Sequence, residues 1–129
     1  MSARILAKYL AAALLVAILH WTVAAGASEL VMFERAGCPW CQRWDREVGA
    51  SYAKTEEAKR LPLRRIDIDA GPPTGVVLNS PVVYTPTFVV VDGGREVGRI
   101  TGYINDDAFW GLLTAFAAKL RPVRDLKAM

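Results

Sequence analysis

The stretch that decides the fold of this 129-residue chain is Leu30-Val31-Met32-Phe33-Glu34-Arg35-Ala36-Gly37-Cys38-Pro39-Trp40-Cys41. Its first four residues are apolar without a break, a pattern typical of a short buried strand. The two cysteines follow, three positions apart. Pro39 favours a helix start between them, because proline lacks an N–H group that the first turn of a helix could not pair anyway. The stretch therefore predicts a strand that leads into a helix carrying both cysteines in its first turn.

The next segments complete a strand–helix–strand unit. Residues Gln42 to Arg60 are rich in helix formers and place their apolar residues on one face, with Gly49 expected to bend the helix midway. Leu63 to Asp69 alternates apolar and charged residues, as a half-buried strand does. Because a helical crossover joins this strand to the first one, we expect the two strands to be parallel.

The second half of the domain is predicted to be a hairpin followed by a helix. Ala70 to Val83 contains several glycines and prolines and is expected to be mostly loop. Thr87 to Val91 and Glu96 to Ile100 flank a turn sequence and are expected to pair as antiparallel strands. Asn105 is a suitable N-cap for a closing helix. The order β-α-β-loop-β-β-α predicts an α/β fold with a mixed four-stranded sheet.

The N-terminal residues have the three parts of an export signal. Arg4 and Lys8 precede an uncharged apolar run, and Ala25-Gly26-Ala27 matches a cleavage site. We therefore assign residues 1–27 to a signal peptide, 28–122 to the domain and 123–129 to a flexible tail, and expect a periplasmic protein. The alternative is an uncleaved membrane anchor, since about 20 uncharged residues can span a bilayer.

The residues left after cleavage exclude several kinds of chemistry. They include 14 basic and 13 acidic residues, a net charge of +1, which argues against nucleic-acid binding. Two cysteines and no histidine cannot supply the four ligands of a structural zinc site or of an iron–sulfur cluster, nor the base of a serine triad. We therefore expect no metal and no cofactor, and thiol–disulfide chemistry remains.

Two interpretations of the cysteine pair stay open. A structural disulfide suits an exported protein, but closing a four-residue loop stabilises the fold by only about 2 kcal/mol. The catalytic interpretation uses the helix N-terminus, which favours a thiolate on Cys38 and places Cys41 one turn further in. Cys38 would attack a partner disulfide and Cys41 would resolve the mixed disulfide, or the same steps would run in reverse.

The order of these elements, with Cys38-Pro39-Trp40-Cys41 at a helix start and Thr85-Pro86 before the hairpin, resembles the thioredoxin family. The resemblance implies the minimal thioredoxin fold, with helices on both faces of the sheet. It also implies a cis bond before Pro86 and a backbone at Thr85 that pairs with the substrate chain. Without the resemblance, Pro86 would simply mark the start of a strand.

A closer resemblance is to the SoxS type of small periplasmic thioredoxin, associated with bacterial sulfur oxidation. It is carried by three stretches: Met32 to Trp44, Tyr84-Thr85-Pro86-Thr87-Phe88 and Gly102-Tyr103. This resemblance implies a partner protein that carries a disulfide, such as the sulfur-carrier protein of the pathway, and a membrane thiol transporter as the upstream donor of electrons.

Two features depart from typical thioredoxins. Met32 stands where they have a buried aspartate, and Glu34 is a candidate substitute, although a charge at a strand end is more simply explained as solvated. Pro39-Trp40 replaces their Gly-Pro and is closer to glutaredoxins, a reading that we rank lower because an exported protein meets little glutathione.

Three side chains near the cysteines are further candidates. Trp40 lies between them and is expected to be exposed and to contact partner proteins. Arg35 and Arg43 flank the pair and could lower the thiolate pKa or bind an acidic partner, or they could be ordinary surface arginines. Four other aromatic residues are expected in the core: Trp44, Phe88, Phe109 and Trp110.

The sequence therefore predicts a thiol–disulfide oxidoreductase, expected to be a monomer that reduces a protein partner. An oxidase that introduces disulfides is the first alternative, because sequence does not reveal a reduction potential to within the roughly 30 mV that shift the equilibrium tenfold. A non-catalytic binding module with a static disulfide is the second.

Overall fold

The computed structural model describes residues 27–120 and, apart from them, Ala3. Most of the predicted signal peptide, and all of the predicted tail at residues 123–129, fall outside the described residues. Within the part that is described, no helix is long and apolar enough to cross a membrane.

The sheet is mixed and four-stranded, as predicted. Its strands lie in the order β2-β1-β3-β4. Their bounds are β1 Ser28–Glu34, β2 Leu63–Asp67, β3 Thr87–Asp92 and β4 Arg95–Thr101. Leu30 pairs in parallel with Leu63 and antiparallel with Val90, so β1 lies in the centre between its two partners. The predicted parallel pair and the predicted hairpin are both confirmed.

The helices are shorter and more numerous than predicted. Their bounds are α1 Pro39–Trp44, α2 Ala50–Tyr52, α3 Glu56–Arg60 and α4 Asp106–Ala117, with a π-helical turn at Asp45–Gly49 that joins α1 to α2. The expectation of one helix from Gln42 to Arg60 is therefore wrong. The chain leaves the helix after Tyr52, and the Thr55 hydroxyl donates to the Tyr52 carbonyl at 2.7 Å and accepts from the Ala58 N–H at 3.2 Å. Thr55 thus closes one helix and caps the next.

The strand β2 also ends earlier than predicted. A carboxylate oxygen of Asp67 accepts a hydrogen bond from the Asp69 N–H at 2.9 Å, and Ile68–Ala70 form a 3₁₀ turn. Aspartate favours such local turns because its short side chain reaches the backbone two residues on. The alternation of apolar and charged residues continues past Asp67, but the strand does not.

The two faces of the sheet have different covers. Residues alternate along β1, so that Leu30 and Met32 lie in the main buried cluster and Val31 and Phe33 in a second one. The main cluster contains the buried residues of the helices: Cys41, Trp44, Val48, Tyr52, Phe109, Leu113 and Ala117. The second cluster is covered by side chains of β2 and of the following loop: Ile66, Val76, Leu78 and Val82.

The fold class is confirmed, but the placement of helices on both faces is not. As its glycines and prolines predict, the segment from Ala70 to Val83 is mostly loop. Side chains of this loop lie on the face of the sheet where the resemblance implied helices. This loop is fastened to the hairpin, because the Val77 N–H donates to the Gly94 carbonyl at 2.7 Å and the Val77 carbonyl accepts from the Glu96 N–H at 3.0 Å.

Three of the four predicted core aromatics are fully buried: Trp44, Phe88 and Phe109. Trp110 is only partly buried and stacks on Tyr52, with ring centroids 5.9 Å apart. The aromatic cluster packs α4 and the helical segment after the cysteines against the same face of the sheet.

Candidate active site

Cys38 and Cys41 lie in the first turn of α1, as predicted. Cys38 is the N-cap with an extended backbone, and Pro39 is the first helical residue. The Cys38 sulfur accepts a hydrogen bond from the Cys41 N–H at 3.1 Å, the role that a hydroxyl or carboxylate oxygen plays in most N-caps. Sulfur at this position faces N–H groups that have no partner within the helix, an environment that favours a thiolate.

The two cysteines form a disulfide, with Cα atoms 5.3 Å apart. Both belong to the main buried cluster, and Cys38 is the more accessible of the two, with 8% of its surface exposed against 3% for Cys41. Trp40, between them, is 53% exposed. The expectation of an exposed aromatic side chain beside the sulfurs is thus confirmed.

The second predicted element of the site precedes β3. The Thr85–Pro86 bond is cis, as the resemblance implied. The Pro86 carbonyl accepts a hydrogen bond at 2.7 Å from the N–H of Gly102, whose φ of +82° is a left-handed conformation that glycine adopts readily. The chain after β4 is therefore joined directly to the proline segment.

A cleft of about 400 Å³ brings the two elements together. Trp40 and Arg43 line it from the cysteine helix, Thr85 from the proline segment, and residues 101–104 from the end of β4. The structure thus places two of the predicted site residues, Trp40 and Thr85, in one cleft, although 45 positions separate them in the sequence.

Arg43 is held in this cleft by Glu47 and two aromatic rings. Its Nε donates to Glu47 at 2.9 Å, and its guanidinium carbon lies 5.8 Å from the ring centroids of both Trp40 and Tyr103. The Tyr103 hydroxyl donates to the other oxygen of Glu47 at 2.6 Å. Glu47 therefore joins the helix that carries the cysteines to the loop that forms the opposite wall.

The charges of this cluster shift the pKa of its members in consistent directions. The bond from Tyr103, followed by the bond from Arg43, lowers the pKa of Glu47 below its ordinary value. Burial raises the pKa of Tyr103, and its bond to Glu47 raises it further. Glu47 is thus an ionised acceptor at neutral pH, and Tyr103 is a neutral donor.

Neither arginine that flanks the cysteines carries an uncompensated charge. Arg43 pairs with Glu47, and Arg35 makes a bidentate pair with Asp69, at 2.7 and 2.8 Å. These ion pairs account for the positions of Arg35 and Arg43, so no effect on the pKa of Cys38 is needed to explain them.

The position of the aspartate of typical thioredoxins holds a fully buried Met32 in this chain. Glu34, considered as its substitute, is an ion-pair partner of Arg65, whose guanidinium also binds Asp45 at 2.8 Å. Glu34 thus links β1 to β2 and is neither simply solvated nor free. Within residues 27–120, no group of three or more His, Cys, Asp and Glu residues is arranged to hold a metal ion.

Sequence reasoning missed Glu47 as part of the site. Its position four residues after Arg43 is a local signal for an ion pair on a helix. Its bond to Tyr103, 56 residues away, has no local signal, because only the packing of the loop against the helix brings these two residues together.

Comparison with known proteins agrees with this geometry. The family model described as a thioredoxin-like domain matches residues 19–117. The periplasmic thioredoxin SoxS from Paracoccus pantotrophus, solved in its reduced form, is 40% identical, with a TM-score of 0.68; the match covers 70% of this chain and 96% of that one. Among curated proteins, none matches significantly.

Two more distant structures share the fold. The thioredoxin of Fasciola hepatica is 26% identical, with a TM-score of 0.55, and the match covers 70% of this chain and 82% of that one. The thioredoxin of Malassezia sympodialis is 16% identical, with a TM-score of 0.56, and covers 70% and 78%. With its cysteine pair at the helix start and this fold, the chain belongs to the thioredoxin-like family and is a thiol–disulfide oxidoreductase.

Proposed function

We propose that this protein works in the periplasm and reduces a disulfide or mixed disulfide on a partner protein, such as a sulfur-carrier protein. The observation that carries the proposal is the position of the Cys38–Cys41 pair at the start of a helix, next to a cleft lined by Trp40 and Thr85. A reactive pair beside an open cleft suits a polypeptide substrate, which must lie across the site while its sulfur is attacked.

The first step uses the reduced protein. The Cys38 thiolate attacks one sulfur of the partner's disulfide, and a bond forms between Cys38 and the partner while the second sulfur of the partner leaves as a thiolate and takes up a proton. Cys38 is assigned to this step because it is the more accessible cysteine and because the helix N-terminus favours its anion.

The second step closes the disulfide that the structure contains. Cys41 loses its proton and attacks the Cys38 sulfur, which breaks the bond between Cys38 and the partner, and the partner sulfur released from Cys38 takes up a proton. The partner has then gained two electrons and two protons, and the protein is oxidised. A dithiol of a membrane thiol transporter would reduce it again by the same exchange.

The substrate-binding residues proposed are Trp40, Thr85 and Pro86. Trp40 offers an exposed aromatic surface beside the sulfurs, the kind of side chain that contributes most to protein contacts. The Thr85 backbone would pair with an extended segment of the partner, and Pro86 shapes the segment that presents it.

The periplasmic location is supported by the signal-like N-terminus and by the similarity to periplasmic SoxS. Cleavage after Ala27 would release residues 28–129, whereas an uncleaved segment would anchor the domain. N-terminal sequencing of the protein from a periplasmic fraction should begin at Ser28. Recovery of a chain that starts at Met1 in the membrane fraction would contradict cleavage.

The assigned cysteine roles can be tested by trapping. Cys38→Ser should abolish insulin reduction, whereas Cys41→Ser should keep the attacking thiol and accumulate a mixed disulfide with the partner, because only the resolving thiol is missing. Mass spectrometry of affinity-captured adducts measures this. Adducts on Cys38→Ser but not on Cys41→Ser would reverse the assignment. A wild-type protein that binds the partner but does not reduce its disulfide would be a binding module.

The direction of electron flow needs a separate measurement. Equilibration of the cysteine pair with mixtures of reduced and oxidised glutathione gives its reduction potential, where about 30 mV corresponds to a tenfold change in the equilibrium. A potential below that of the partner's disulfide supports a reductant. A clearly higher potential would make the protein an oxidase.

A further inference from the structure

A second, smaller cavity adjoins the active-site cleft. It has a volume of about 130 Å³ and shares a wall with the cleft, formed by residues 101–104. On its other sides it is lined by Ile100 of β4 and by three side chains of α4: Ala108, Phe109 and Leu112. A chain lying in the cleft therefore has a neighbouring hollow within the same wall.

Most of the residues that line this cavity are apolar, and its polar members include Thr101 and Arg99. The Arg99 guanidinium donates to Glu96 at 2.7 and 2.8 Å and to the carbonyls of Ser80 and Pro81 at 2.7 and 3.2 Å. Its charge is paired and directed to these groups, so the residue adds no free cation to the cavity wall.

The rim of the cavity exposes apolar side chains that nothing in the described structure covers. Ile104 is 74% exposed and Leu112 is 47% exposed. Both line the cavity. Adjacent exposed apolar residues around a hollow are typical of a surface that binds another molecule.

The size of the cavity fits one side chain. An engineered apolar cavity of about 150 Å³ binds benzene, so a hollow of similar volume accepts a group as large as a leucine side chain or a phenyl ring. It is too small for a second folded element of a partner.

We propose that this cavity binds one large apolar side chain of the partner polypeptide whose disulfide is reduced at Cys38 and Cys41. The inference rests on the proposed function, since it names a preference of the same substrate. The occupant is the partner chain because the cavity continues the cleft beside the cysteines and shares its wall. The protein would then favour a disulfide that has a leucine or an aromatic residue a few positions away.

A peptide series tests this. Each probe is a nine-residue Gly/Ser peptide whose central cysteine is joined by a disulfide to 2-nitro-5-thiobenzoate. Protein reduced beforehand and freed of reductant supplies the two electrons, and both the peptide thiol and the coloured thiolate are released. One leucine is placed in turn at each of the four positions on either side of the cysteine, and the second-order rate constants are compared with that of the leucine-free peptide.

Wild type should react about tenfold faster with leucine at one or two of these positions, because the side chain leaves water. Leu112→Asp, and the milder Leu112→Ala, should reduce this ratio towards one, each variant being compared with its own rate on the leucine-free peptide. Val97→Asp is the matched control, since Val97 lies on β4, is 48% exposed and lines neither cavity. It should keep the full ratio.

The contrary outcomes are distinct. If wild type reduces all the peptides at one rate, or if Leu112→Asp and Leu112→Ala keep the ratio, the cavity proposal is wrong while the proposed function stands. If wild type reduces none of them, the proposed function fails, and the inference fails with it.

Discussion

Met32 and Tyr52 are two buried residues of the main cluster, one without a polar group and one with a hydroxyl that needs a partner. Met32 fills the main cluster at a position where typical thioredoxins hold a carboxylate. Burial of an uncharged side chain there avoids the cost of desolvating an ion. Tyr52 is equally buried, but its hydroxyl has a partner, because it donates to the Leu61 carbonyl at 2.7 Å. That bond ties the end of α2 to the chain that enters β2.

Tyr52→Phe should lower the free energy of unfolding by about 1 kcal/mol at pH 7, because it removes the hydrogen bond to Leu61 but keeps the ring. Urea denaturation measures the change. Tyr84→Phe is the control, since Tyr84 is exposed, and it should leave the free energy near the wild-type value. An equal loss in both variants would contradict the role given to this bond.

The same residue makes stability depend on pH in alkali. Burial, and then the nearby charge of Glu57, raises the pKa of Tyr52 above its ordinary value of 10. When the pKa of a group is higher in the folded protein than in the unfolded one, its full contribution to stability is present below the pKa of the unfolded state. This contribution is lost as the pH rises towards the pKa of the folded state. Wild-type stability should therefore fall above about pH 10, and less steeply in Tyr52→Phe. Tyr103, whose pKa is also raised, would account for part of the remaining slope.

Among the elements, the helical segment after the cysteines has the least regular backbone. Its π-helical turn at Asp45–Gly49 contains Glu47, which bonds to Tyr103, and ends at the glycine that packs on Trp44. The wider turn shifts the register between the residues before and after it. The π-helical turn thus contributes both to the packing around Trp44 and, through Glu47 and Tyr103, to the contact with the far wall of the cleft.

Two glycine-to-alanine substitutions test this packing. Gly49→Ala would place a Cβ 2.9 Å from the Trp44 ring and 3.1 Å from an Asp45 oxygen, so we expect destabilisation by about 1–3 kcal/mol. Gly111→Ala in α4 meets nothing within 4 Å and should stabilise by about 0.5–1 kcal/mol through helix propensity. Thermal and urea unfolding of both variants measure the difference. Stabilisation by Gly49→Ala would show that the turn readjusts freely.

The whole molecule is asymmetric about its sheet. The face that carries the cysteine helix is covered by helices, and the other face is covered by side chains of β2 and of the loop that follows it. The central strands β1 and β3 contribute to both clusters, so loss of either cover exposes residues of the same two strands. The site and the loop cover therefore share a framework but lie on opposite faces.

The double substitution Leu78→Ser and Val82→Ser should lower the free energy of unfolding by about 1–3 kcal/mol, because both side chains pack on the second cluster. The single-turnover rate of disulfide reduction should change little in the folded protein. Val77→Ser, at an exposed position of the same loop, is the control and should have a smaller effect. Urea denaturation and stopped-flow kinetics on one preparation check both statements, and a rate loss as large as the stability loss would refute the separation of the two faces.

The sequence by itself determined the order of strands and helices along the chain and the helix start at the cysteines, and it limited the pair to thiol–disulfide chemistry. These features are local: apolar runs, Pro39 in a first helical turn and Asn105 as an N-cap depend on residues within a few positions of one another. The elimination of other chemistry also needed only the residue types present, since two cysteines, with no histidine after the predicted signal peptide, leave few alternatives.

Only the tertiary structure decided where the helices lie and how the cleft is built. Trp40 and Thr85 line the same cleft, and Glu47 accepts a hydrogen bond from Tyr103, because segments that are far apart in sequence pack together. Within residues 27–120, a loop and no helix packs over Val31 and Phe33, and the path of this loop is set by its bonds to the hairpin through Val77. Periodicity predicts which residues of an element are buried but not which segment packs on them, because that depends on contacts between distant segments that form only when the chain folds.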